Sequence, residues 1–111
     1  MSVDSIQEVM QSLKSVEHEQ IRRDSEAYLE IVFSLEAMIK IRPVLEKFYG
    51  PAFKPAGMKA GREASEFSKG YGGIQKEQEL YYKSGLGVSH LAMLWPWQDD
   101  KRVTLKIIEV H

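Results

Sequence analysis

No cysteine occurs among the 111 residues. Disulfides, thiolate nucleophiles and cysteine-ligated metals are thereby excluded. A small domain without such staples points to the cytoplasm rather than an oxidising compartment. Long apolar runs are missing too. The longest, Leu91 to Trp97, is interrupted by Pro96 and falls far short of the roughly 20 residues a membrane helix needs. The first residues, Met1-Ser2-Val3-Asp4-Ser5, lack the basic segment and apolar core of a signal peptide. No membrane association is expected.

An excess of charge of one sign is also lacking, with a net charge of −1. Nucleic-acid binders carry a strong basic surplus, so a nucleic-acid partner is not expected. Residues 1–49 hold nine acids and six bases, and residues 50–111 hold seven acids and nine bases. That asymmetry permits a local basic patch without demanding a polyanion.

The signatures of catalysis are absent as well. No serine sits in a G-x-S-x-G elbow. Gly70-Tyr71-Gly72-Gly73 lacks the spacing of a phosphate cradle, and no HExxH pattern exists. The three histidines are His18, His90 and His111. His18 lies between Glu17 and Glu19, and neighbours on a helix point in different directions, so the three cannot converge on a metal there. His90 reads as a semi-buried strand residue. Turn chemistry explains Asp99-Asp100, and Glu77 and Glu79 read as a solvated strand face. No catalytic residue, metal or cofactor is assigned.

The pattern that is present changes rhythm near Gly50. Val3, Ile6, Val9, Met10, Leu13 and Val16 are spaced as one helical stripe, with Ser2 or Asp4 as cap. Asp24-Ser25 reads as the cap of a second helix, Ser25 to Ile41. Its apolar positions, including Tyr28, Ile31, Val32, Leu35 and Met38, are widened by Leu29, Phe33, Ala37 and Ile41. A helix so apolar must bury more than one side: either it sits centrally between the first helix and the sheet, or it also meets a second copy, with Phe33, Ala37 and Ile41 at that interface. Pro43 is expected to interrupt this helix or to open a short one ending at Gly50-Pro51.

Beyond Gly73 the apolar period becomes two. Gln78–Lys83, Val88–Trp95 and Arg102–Val110 read as strands, joined by turns at Ser84–Gly87 and Trp97–Lys101. Val88–Trp95, apolar on both sides, is expected in the middle. The expected architecture is one α+β domain over 1–111. Its helical part covers about 1–49, a basic Gly/Pro connector about 50–73, and a three-stranded antiparallel meander about 74–110.

The connector carries Lys54, Lys59, Arg62 and Lys69, with Lys76 just after it, against only Glu63 and Glu66 up to Gly73. A short helix is expected over Arg62–Lys69, capped by Gly70. Trp95 and Trp97 share a strand parity, hence one sheet face.

Two readings follow. The first is a non-enzymatic interaction protein acting as a homodimer. The alternative is a binder, conceivably an enzyme, of a small anionic metabolite. There Lys54, Lys59 and Arg62 would hold charge, and Tyr71 and Trp97 would cover the apolar part.

Overall fold

The computed structural model describes residues 5–59, 61–85 and 87–110, with the backbone alone for Phe67 and Tyr71. The element order begins with α1 (Ile6–Lys14), β1 (Gln20–Asp24), β2 (Tyr28–Ser34), a 3-10 turn (Leu35–Ala37) and α2 (Met38–Tyr49). It continues with α3 (Arg62–Ser68), a 3-10 turn (Lys69–Tyr71), β3 (Glu79–Gly85), β4 (Val88–Pro96) and β5 (Arg102–Val110). The expected caps Ser2 and Asp4, together with Val3, Leu86 and His111, lie outside the described residues. The Ser5 hydroxyl caps α1 by accepting from the Glu8 amide.

The class is α+β, but the meander is part of a five-stranded antiparallel sheet, ordered β1-β2-β5-β4-β3. The three expected C-terminal strands are present, with β4 between β3 and β5. The helices are not all N-terminal to the sheet, since β1 and β2 form a hairpin between α1 and α2.

The helix expected over 25–41 is the main correction. Tyr28–Ser34 is a strand whose alternate residues Leu29, Ile31 and Phe33 are fully buried on one face. An apolar run of this length fits either period. Its tyrosine, phenylalanine and β-branched residues suit a pleated surface better than a helix. The Ser25 hydroxyl, read as a helix cap, instead accepts from the Tyr28 amide in the hairpin turn. Caps and turns draw on the same short-range hydrogen bonding. Pro43 does not stop the following helix; it lies on the exposed side of α2, where a missing backbone bond costs least. Gly50, at φ +85, ends that helix.

With the long helix gone, the argument for an interface through Phe33, Ala37 and Ile41 goes too. Phe33 and Ile41 are fully buried within the chain, and Ala37 packs against the same core. That core joins Ile6, Val9, Met10 and Leu13 of α1 and Met38, Ile41, Leu45, Phe48 and Tyr49 of α2 to one face of the sheet. Each such side chain contributes about 1.5–3 kcal/mol on burial. The opposite face carries a smaller cluster, Leu80, Leu91, Met93 and Ile108 with Ala64 of α3.

The two sheet edges are closed differently. All five residues of β1 are exposed, and its register shifts between Ile21 and Arg23. A bulge and charged side chains discourage pairing with a further strand. At the other edge, Lys54 forms an isolated bridge to Leu80 of β3.

Candidate functional site

The connector is held to the sheet by Lys54. Its backbone exchanges two 3.0 Å hydrogen bonds with Leu80. Its side chain runs inward, leaving the residue 3% exposed. The ammonium donates to the carbonyls of Gln75 (2.7 Å), Lys76 (2.5 Å) and Gln78 (2.5 Å). An ammonium has three donors, so none remains for a ligand. Burial pulls this lysine below its usual pKa, partly opposed by the charges of Glu77 and Glu79. Lys54 is a strut that fixes the turn preceding β3.

Lys59 and Arg62 are different. Both are exposed, and with Lys54 they line a hollow of about 410 Å³ whose other walls include Phe53, Pro55 and Met58. Phe53 is 44% exposed and Met58 57%. Glu63 is the one acid among the lining residues. The hollow therefore has an apolar floor and a cationic rim. Three of the five expected ligand residues meet here. Trp97 does not, and the Tyr71 side chain lies outside the described residues. Phe53 and Met58 were not foreseen as lining residues. Their signal was two large apolar side chains in a segment with no helical or strand period.

The expected shared face of Trp95 and Trp97 is present, and cations cover it. The Trp97 indole N–H donates to the Thr104 hydroxyl (2.8 Å). The guanidinium carbons of Arg22 and Arg102 lie 5.4 and 5.1 Å from its ring centroid. The Lys106 ammonium sits 3.5 Å over Trp95, and Arg23 sits 4.4 Å over Tyr28. The β1 bulge turns two successive arginines to one side of the sheet, as an inserted residue does. Arg102 also pairs with Glu19 and Asp99, and Arg22 with Glu30. These aromatic faces are thus already engaged.

A larger hollow, about 750 Å³, opens between α2 and the turn that Lys54 fixes. Arg42, Lys76, Glu77, Glu79, Trp97 and Asp100 are among its lining residues. Glu79, expected in water, is 5% exposed. It accepts from Arg42 Nη2 (2.7 Å) and Nε (3.4 Å) and from the Tyr81 hydroxyl (3.2 Å). The carboxylate starts β3 facing α2, a position legible only once the helix is placed. A third hollow, about 440 Å³, lies beside His18 with Glu17, Glu19, Glu36 and Lys40. His18 Nδ1 lies 2.9 Å from the Val16 carbonyl, and its ring meets Phe33 edge-on. His90, in β4, packs edge-on against Phe48.

Comparisons of the chain with protein-family models, with curated proteins and with solved structures found no match in any of the three. No helix among the described residues is long and apolar enough to cross a membrane.

Proposed function

We propose that this chain is a small-molecule binding protein whose connector hollow receives an amphiphilic anion. One observation carries the reading. Phe53 and Met58, large apolar side chains left exposed, share a hollow with the exposed cations Lys59 and Arg62. Exposed apolar side chains gathered in one concavity are a common mark of a binding site, and about 410 Å³ lies within the range of small-molecule pockets. The ligand class follows from the lining: an acyl or aryl body against Phe53 and Met58, and a carboxylate or phosphate against Arg62 and Lys59. Arginine suits such groups because its planar fork matches two oxygens. Binding, rather than a reaction, is the activity this lining supports.

Thermal unfolding with octanoate, phenyl phosphate and inorganic phosphate tests the reading. Octanoate and phenyl phosphate raise the melting temperature, since a ligand that binds only the folded state stabilises it by mass action, about 2.7 kcal/mol at 100 times Kd. Inorganic phosphate, with no apolar body, raises it less. Arg62→Ala removes most of the rise without unfolding the protein, because Arg62 is exposed. No rise with either amphiphile, or an equal rise in the variant, overturns the proposal.

A further inference from the structure

We propose that the larger hollow is a second, separate site, and that it takes a free amino acid in its zwitterionic form. It shares no residue with the connector hollow, so it stands or falls apart from the function proposed above.

The first argument is the setting of Arg42. Guanidinium offers five N–H donors in a fixed plane. Two of them, on the Nε–Nη2 edge, go to Glu79. Glu79 is itself almost fully buried and held by Tyr81, so the guanidinium is oriented from behind. The remaining end-on edge, Nη1 and Nη2, has the geometry for a second carboxylate. The Arg42 side chain is 47% exposed, which leaves that edge accessible. Glu79 is thus a positioning residue, and Arg42 the one that touches the ligand.

The second argument is charge. Arg42 and Glu79 cancel each other. What remains around the hollow is Lys76 against Glu77 and Asp100, an excess of one negative charge. A plain anion meets no favourable field there, and a plain cation leaves the Arg42 edge unused. A molecule with both a carboxylate and an ammonium satisfies both. Asp100 is the counter-group for the ammonium. Its carboxylate has no hydrogen bond or ion pair among the described residues, and its backbone is left-handed at φ 57, a conformation that fixes the hairpin tip. Leu35 and Met38 supply apolar wall for the amino acid's side chain, and Trp97 borders the same hollow. The connector hollow lacks this balance, because its rim is cationic.

Titration of the full ¹⁵N-labelled chain with L-leucine and L-phenylalanine tests the inference, read at the Arg42 Nε–H and Trp97 indole N–H resonances. At least one of the two amino acids gives a saturable shift. The matched analogues of leucine, 4-methylpentanoate without the ammonium and 3-methylbutylamine without the carboxylate, bind about tenfold or more weakly than leucine, since each loses a charge-assisted hydrogen bond. Asp100→Asn weakens the amino acid by a similar factor and keeps the fold, because asparagine tolerates the left-handed region as aspartate does. Arg42→Lys keeps a charge beside Glu79, loses the fork, and also weakens binding. Arg62→Ala changes octanoate binding and leaves amino-acid binding intact. The inference fails if neither amino acid gives a saturable shift, if 4-methylpentanoate binds as well as leucine, or if Asp100→Asn binds like the parent chain.

Discussion

The two faces of the sheet are made by the same five strands and finished by different means. On one face, two helices lay apolar stripes across β2, β5, β4 and β3, and the side chains between them are buried. On the other, a seven-residue helix and a proline- and glycine-containing connector cover only part of the sheet. The rest is finished by aromatic rings with cations laid over them. The difference teaches how much cover each face needs before it closes. The first face spends its residues on packing. The second has too little apolar cover to close, and the connector hollow forms along that incomplete cover.

The sharpest test of the comparison is Phe33, which sequence periodicity places at an interface and the fold places in the core. Phe33→Ala removes a fully buried ring and leaves a cavity, a change that costs about 3–5 kcal/mol. Urea unfolding should show the midpoint falling with little change in slope. If Phe33 instead joined two copies, the substitution would lower the apparent mass in sedimentation and cost the isolated chain little. A parent chain that sediments as a dimer and an alanine variant that sediments as an equally stable monomer would reverse the assignment.

A smaller effect is expected on the opposite face, at Gly72. This residue sits at φ +101, and a Cβ there would lie 2.5 Å from Cη2 of Trp95. Both the backbone and the space therefore require glycine. Its neighbour Gly73 also has a positive φ, +76, but a Cβ there would meet nothing within 4 Å. Gly73→Ala thus isolates the backbone penalty, about 1–2 kcal/mol. Gly72→Ala adds displacement of the Trp95 ring and should cost more, with a change in tryptophan fluorescence that Gly73→Ala does not produce. Equal losses in the two variants would mean that Trp95 does not rest on Gly72.

How much of this was legible beforehand differs by region for physical reasons. Gln78–Lys83 and Arg102–Val110 alternate, and Val88–Trp95, apolar on both sides, is short and bounded by glycine and proline, so local pattern and tertiary position agree there. Tyr28–Ser34 carries Leu29, Ile31 and Phe33 on one face and Tyr28 and Val32 on the other, so apolar residues stand on both faces. Burial on both faces erases the period that tells strand from helix. The helix signal downstream is genuine, yet it belongs to Met38–Tyr49, and Pro43 masked its continuity. Gly70 does not cap α3, because a 3-10 turn runs on to Tyr71 and Gly72 takes the left-handed position. The residues proposed for binding divide in the same way. Lys59 and Arg62 were visible as unbalanced charge. Lys54 belonged to the same run, but nothing local reveals an ammonium captured by three carbonyls some twenty residues on. The Arg42–Glu79 pair spans 37 residues, and only the placement of α2 beside β3 creates it.

The faces also differ in how their phenols titrate. Burial raises the pKa of Tyr49 and of Tyr81 on the helix side. On the other face Tyr82 is lowered, chiefly by its hydrogen bond with Ser89. A raised folded-state pKa contributes stability that is complete below the unfolded value, about 10, and is lost as pH rises beyond it. Lys54 and Lys106, lowered chiefly by burial, act in the opposite direction: they add stability as pH rises toward their unfolded value, about 10.4. Above that value these two lysines are neutral in both states and no longer offset the buried phenols. Stability measured by urea unfolding should therefore fall above about pH 10.5, by about 1.4 kcal/mol per pH unit for Tyr49. Tyr49→Phe should lessen the slope by that amount, losing only a 3.4 Å hydrogen bond to the Leu91 carbonyl. Tyr82→Phe should not lessen it. If the two variants flatten the alkaline limb equally, the helix-side face is wetter than its packing implies, and the contrast between the faces disappears.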